Sequence, residues 1–151
     1  MAHGEVAVSK LFTPHMVLQR GMEAPVYGTA DPGEKVEVKF RSQSKTATAD
    51  KEGRWLVKLE SLEAGGPDVL AIGDRKIEDV LVGDVWIGSG QSNMQQAASA
   101  YLGGDPVLAA ASGETYPKIR LMSQGSKDGW KEATPENIGR FSAQGSDTRE
   151  G

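Results

Sequence analysis

The first half of the chain consists of short segments in which apolar and polar residues alternate, and this period of two restricts its fold most. Lys35–Phe40 alternates throughout and so places its three apolar side chains on one face. Turn signals rich in Asp, Gly and Pro, such as those at 31–34 and 50–53, separate such segments. We find no helical pattern of useful length between residues 5 and 82. The pattern predicts a mainly β fold, with an antiparallel β-sandwich domain over residues 5–82.

The alternation and the turns together locate eight strands in this half. We predict strands at Val6–Phe12, Met16–Gln19, Ala24–Thr29, Lys35–Phe40, Thr46–Ala49, Arg54–Leu59, Val69–Ile72 and Lys76–Val82. Trp55 lies inside one of them and is expected in the core.

The character of the sequence changes at Gly83. Val85-Trp86-Ile87 is a compact apolar run without alternation, which is typical of a strand buried on both faces, and Trp86 is therefore expected in the core. A Gly-rich turn follows, and the residues from Ser92 to about Tyr101 predict a helix that Ser92 and Asn93 could cap. Beyond it, we predict a weak helix at 107–111, a strand at 117–122, irregular chain after 123 and a disordered tail over 144–151.

Ser92 stands where the predicted strand turns into the predicted helix. A tight turn projects its hydroxyl, Gly88 and Gly90 carry no side chains that could block a substrate, and a helix N-terminus offers N–H groups to a developing oxyanion. A plain Gly-rich turn explains the same residues without any chemistry. A dinucleotide-binding loop is disfavoured, because Asn93 stands where the third Gly of its pattern should be. Gln91 and Asn93 could bind a sugar hydroxyl or simply hydrogen-bond within the turn.

Several runs resemble one family in the order in which that family has them. The run 79–94, which ends in Gly90-Gln91-Ser92-Asn93-Met94, resembles the signature of the sialate O-acetylesterase family of the SGNH hydrolase group. Further resemblances span nearly the whole chain and lie at 11–20, 53–55, 116–121, 130 and 141–143.

The resemblance implies that residues 83–143 begin an SGNH-type α/β (flavodoxin-like) hydrolase domain, which the chain truncates. It implies a serine esterase that removes O-acetyl groups from carbohydrates, of the sialate or plant-polysaccharide type, without metal or organic cofactor. Ser92 would be the nucleophile, and its N–H would contribute to the oxyanion hole. The resemblance also suggests a secreted or periplasmic protein, although MAHGEVAV lacks the regions of a signal peptide.

The remaining catalytic groups of that family, above all its Asp-x-x-His pair, belong to segments that follow residue 143. The two histidines present, His3 and His15, both precede Ser92. An alternative is that His15, which lies in the sandwich half, acts as the base for Ser92. Since a serine without its base is a poor nucleophile, we expect the chain alone to be nearly inactive. The alternatives are a non-catalytic β-sandwich module that binds carbohydrate or a partner, and one subunit of a split esterase. The incomplete domain also predicts self-association or local disorder beyond residue 83.

Composition excludes several other classes of protein. The formal net charge of −4 disfavours binding to nucleic acid or to anionic membranes. Without cysteine there are no disulfides or thiolate metal sites, and no His, Asp and Glu cluster has metal-ligand spacing. Arg20 and Asp84 could form an inter-domain ion pair or be solvated separately, and Trp130 could pack in a core or stack on a sugar.

Overall fold

The computed structural model describes residues 5–123 and 126–142 of the 151-residue chain. These residues divide into two compact units, the first ending at Val85 and the second beginning at Trp86. The predicted tail at 144–151 lies outside the described residues. The assignment of a sandwich domain to 5–82 and of a hydrolase portion to 83–143 stays a prediction.

The first unit contains eight strands among its described residues. They are β1 (Ala7–Val8), β2 (Val17–Gln19), β3 (Ala24–Thr29), β4 (Lys35–Phe40), β5 (Gln43–Thr48), β6 (Arg54–Leu59), β7 (Gly65–Ile72) and β8 (Arg75–Gly83). The mainly β fold is thus confirmed, and β3, β4 and β6 have the predicted bounds. The predicted strand at Val6–Phe12 shortens to two residues.

These strands form two sheets, in the orders β1-β3-β6 and β2-β8-β7-β4-β5. All neighbours run antiparallel except β2 and β8, which pair in parallel with Val17 opposite Leu81. The larger sheet is therefore mixed, and the expectation of a wholly antiparallel arrangement is wrong at this pair. The arrangement of the two sheets as a sandwich stays a prediction.

The core of this unit is built by the alternation that the sequence displays. In β4 and β6 every second residue is buried, and Trp55 is only 3% exposed, as predicted. The largest fully buried side chains come from both sheets: Phe40, Leu59, Leu70, Ile72, Ile77, Val26, Val36, Val38 and Val80. Burying such aliphatic and aromatic side chains contributes about 1.5–3 kcal/mol each.

The sequence at 50–53 predicts a hairpin, but the structure has a turn there that connects β5 and β6, which belong to different sheets. This turn requires a glycine at its end. Gly53 has φ +75°, and a Cβ atom there would lie 2.5 Å from the carbonyl oxygen of Ala30. The Asp50 carboxylate accepts hydrogen bonds from the N–H groups of Glu52 and Arg54, which closes the turn. The predicted turn at 50–53 is therefore confirmed with a physical reason for its last residue.

The second unit mixes short helices with one hairpin. It contains α1 (Ser92–Gln95), a 3₁₀ helix at Ala98–Ala100, α2 (Pro106–Ser112), β9 (Tyr116–Leu121), β10 (Lys131–Ala133) and α3 (Pro135–Arg140). The predicted helix at 107–111 and strand at 117–122 are present within a residue or so, whereas β10 and α3 fall in a stretch predicted to be irregular. No helix among the described residues combines the length and the apolar character needed to span a bilayer.

Candidate functional site

Ser92 is the first residue of α1, and its side chain is exposed. No hydrogen bond to its hydroxyl comes from any described residue. The N–H of Met94 donates to the carbonyl of Gln91 over 2.9 Å, which fixes the turn. The N–H groups of Ser92 and Asn93 find no acceptor among the described residues, as expected at the start of a helix. The site thus presents one hydroxyl with two neighbouring N–H donors.

The segment that leads into this turn differs from the prediction. Residues 84–91 form no strand, Trp86 is 87% exposed and Ile87 is 92% exposed. The prediction of a buried strand at Val85–Ile87, with Trp86 in the core, is therefore wrong. A strand that is apolar on both faces needs neighbours on both edges and faces, and no described strand pairs with this segment.

The helix after Ser92 is also shorter than predicted. It ends after one turn, because Gln96 is extended with ψ 139°, and the 3₁₀ helix at 98–100 follows separately. The residue that caps α1 is Gln91, without a side-chain hydrogen bond, so capping by Ser92 or Asn93 is wrong. A single turn also supplies much less dipole than the long helix that the sequence predicted.

Met94 explains the two glycines of the turn in a way that the sequence did not reveal. A Cβ at Gly90 would lie 2.7 Å from Cγ of Met94, and a Cβ at Gly88 would lie 3.1 Å from its Cε. The methionine side chain therefore occupies the space beside both glycines. The glycines make room for Met94 as well as for any substrate.

The amide side chains that flank the serine are available to a ligand. Gln91 and Asn93 are both exposed, and neither side chain forms a hydrogen bond with the described residues. The hydrogen bonding within the turn that the sequence allowed for them is made by backbone groups instead. The carbonyl of Asn93 also accepts a long hydrogen bond of 3.4 Å from the hydroxyl of Tyr101.

His15 has a partner of its own within the first unit. Its Nδ1 lies 2.6 Å from Oδ2 of Asp79, and both residues have positive φ, 69° and 54°. Their wide separation in sequence concealed this pair, although the positive φ values suit His and Asp better than most residues. His15 is thus half-exposed in a hydrogen-bonded pair.

The Arg20–Asp84 ion pair is present and lies within the first unit. Nε of Arg20 donates to the Asp84 carboxylate over 2.9 Å, and both side chains are about half exposed, at 53% and 49%. This hydrogen bond lowers the pKa of Asp84 and raises that of Arg20. Of the two alternatives that the sequence left open, the ion pair is the one present, but it joins two residues of one unit. Trp130, which the sequence left open between core and sugar stacking, is partly exposed.

Comparison with known proteins finds relatives that share one name. The sialate O-acetylesterase of Mus musculus is 34% identical over 124 residues, which cover 72% of this chain and 23% of the mouse protein. The Homo sapiens enzyme of the same name is 31% identical over 152 residues, covering 82% of this chain and 29% of that protein. No protein-family model matches the chain.

A solved structure agrees with these relatives. The crystal structure of a novel carbohydrate acetylesterase from Xanthomonas citri is 32% identical and superimposes with a TM-score of 0.81, covering 92% of this chain and 35% of that chain. The chain thus spans between 22% and 29% of the length of the curated relatives that it matches.

Proposed function

Since the chain belongs to a sialate O-acetylesterase-like family, we propose that it supplies the nucleophile, Ser92, for the hydrolysis of acetyl esters on carbohydrates. One observation carries the proposal. Within a chain that matches these esterases along most of its length, Ser92 offers an exposed hydroxyl on the first residue of α1, beside N–H groups without an acceptor among the described residues.

The proposed reaction has two steps, acetylation of Ser92 and hydrolysis of the acetyl-serine. Oγ of Ser92 attacks the acetyl carbonyl carbon and loses its proton to a base, and the sugar oxygen leaves with a proton as the hydroxyl. Water then hydrolyses the acetyl-serine ester, which releases acetate and restores Ser92. Negative charge develops on the carbonyl oxygen in both steps, and the N–H groups of Ser92 and Asn93 are suited to stabilise it. Gln91 and Asn93 would bind hydroxyls of the sugar.

The base for Ser92 is the group that the proposal still needs. The 151 residues contain two histidines, His3 and His15, and His15 belongs to the first unit, whereas Ser92 belongs to the second. We therefore propose that an Asp-x-x-His segment on the same longer chain or on a second chain completes the site. The 151-residue chain alone would then be nearly inactive. A non-catalytic carbohydrate- or partner-binding module is the competing hypothesis.

An organophosphonate probe tests the proposal, because it reacts with a serine only when that serine is activated. We expect no adduct on the isolated chain. We expect an adduct at Ser92 in a hybrid that joins residues 5–142 to the remainder of the Xanthomonas citri esterase, located by mass spectrometry of the peptides.

Two variants of the hybrid make this experiment specific. Ser92→Ala should abolish labelling, whereas Ser89→Ala, which removes another hydroxyl from the same turn, should retain it. A folded hybrid that stays unlabelled would favour the non-catalytic module. Labelling at Ser89 would contradict the assignment of Ser92 as the nucleophile.

The exposed apolar segment predicts association of the chain with itself. Because Trp86 and Ile87 are almost fully exposed, a second chain would gain by covering them. We expect Trp86→Ser with Ile87→Ser to lower the associated fraction markedly in multi-angle light scattering. The matched control is Val107→Ser, which removes another side chain that is 79% exposed. A monomeric parent chain at high concentration would contradict this prediction.

A further inference from the structure

A groove of about 550 Å³ opens on the surface of the first unit, on the outer face of the sheet β1-β3-β6. Its size falls within the range of about 300–1,000 Å³ that is usual for small-ligand sites. Residues that line it include Ser9, Tyr27, Thr29, Asp50, Arg54 and Leu56.

The register of the sheet brings the lining side chains together. Tyr27 lies directly opposite Leu56, and Thr29 lies opposite Arg54. These pairs alternate along β3 and β6 with the buried residues of the core, so they share the solvent face. Strand pairing therefore fixes the positions of Tyr27, Leu56, Thr29 and Arg54, and the turn that precedes β6 adds Asp50.

The floor of the groove is apolar and its aromatic ring is held in place. Tyr27 is 37% exposed and Leu56 is 50% exposed. The ring of Tyr27 meets that of buried Phe12 edge to face, with centroids 5.4 Å apart and planes at 88°. A ring held in this way offers its remaining surface to a ligand without losing further freedom. No described residue hydrogen-bonds the hydroxyl of Tyr27.

The polar end of the groove is rich in hydrogen-bonding groups but has no excess positive charge. Nε of Arg54 lies 3.1 Å from the Asp50 carboxylate, and its Nη2 lies 3.2 Å from that of Glu52. The N–H of Arg54 also donates to Asp50, and this contact lowers the pKa of the carboxyl. With one guanidinium against two carboxylates, the cluster disfavours an anion and retains donors and acceptors for neutral hydroxyls.

We propose that this groove on the first unit binds a neutral sugar residue of a glycan. The C–H face of a pyranose ring would lie on Tyr27 and Leu56, and its hydroxyls would bond to Arg54 and Asp50. The charge of the cluster disfavours an acidic sugar. The inference deepens the proposed function and rests on it for the choice of a glycan as ligand, but its test is a binding measurement that needs no esterase activity.

The test is an NMR titration of the ¹⁵N-labelled chain with xylohexaose, which is neutral, and with hexagalacturonic acid, which is anionic and of equal length. We expect xylohexaose to shift the amide signals of Tyr27, Arg54 and Leu56 with a Kd on the order of 1 mM, and the acid to bind at least about tenfold more weakly. Absence of localised shifts at about 10 mM xylohexaose, or equal binding of the acid, would overturn the proposal.

Variants distinguish binding in the groove from nonspecific binding elsewhere on the surface. Leu56→Ser should raise the Kd about tenfold, and Tyr27→Phe should change it by less than about threefold because the ring remains. Met22→Ser removes a side chain that is 57% exposed outside the groove, and it should leave the Kd unchanged. If Leu56→Ser binds xylohexaose as well as Met22→Ser does, the groove is not the site.

Discussion

In the hybrid described above, Ser92→Ala should lower kcat for p-nitrophenyl acetate by about 10⁶-fold, because removal of the nucleophile of a serine hydrolase costs on the order of 10⁶ in turnover. The isolated 151-residue chain should turn over no faster than about tenfold above this variant, since a serine without its base is a poor nucleophile. Steady-state hydrolysis at several substrate concentrations gives kcat and KM separately.

The matched variant for this measurement is Ser89→Ala. Both serines are exposed and belong to the same Gly-rich turn, so a general disturbance of the turn would affect both variants. We expect Ser89→Ala to keep kcat within about tenfold of the parent hybrid. A Ser92→Ala hybrid that retains more than about 1% of the parent turnover would remove Ser92 from the catalytic role.

The strands of the first unit could be predicted because their signal is local. In β4 and β6 the alternation of apolar and polar residues follows from one buried face, and turn residues mark the ends. The parallel pairing of β2 with β8 could not be predicted in this way. It joins Val17 to Leu81, and no local pattern reports which distant strand becomes a neighbour.

The prediction of a buried strand before Ser92 failed because burial is not a local property of the sequence. Val85, Trp86 and Ile87 have the composition of a buried strand, but whether such a run is buried depends on what covers it. No described strand pairs with it, and Trp86 is 87% exposed. The composition therefore indicated that this segment favours burial, whereas its side chains are exposed in the structure of this chain.

One missed element did have a signal in the sequence. The helix α3 is capped by Thr134, whose side chain accepts a hydrogen bond from the N–H of Asn137, and Pro135 is its first residue. A Thr cap followed by Pro is a recognised start of a helix. The start of a helix at Ser92 was predictable from the Gly-rich turn, whereas the packing of Met94 against Gly88 and Gly90 was not, because it depends on the path of a side chain.

Phe40→Ala should lower the free energy of unfolding of the first unit by about 3–5 kcal/mol, the usual cost of removing a large aromatic side chain from a core. Phe40 is 1% exposed, and it ends β4, which lies between β5 and β7 in the larger sheet. Because small domains are stable by only about 5–15 kcal/mol, this loss is a large share of the total. Urea unfolding followed by the fluorescence of Trp55, with Trp86 and Trp130 replaced by Phe, measures it.

Val69→Ala is the matched control, because it truncates an exposed side chain in a strand of the same sheet. Val69 lies in β7 beside fully buried Leu70, yet it is 46% exposed, so its truncation should cost less than about 1 kcal/mol. The two variants thus separate burial from strand position. If Phe40→Ala costs no more than Val69→Ala, burial of the inner face of β4 does not hold the unit together. The groove on the smaller sheet would then lack the rigid support that its proposed ligand requires.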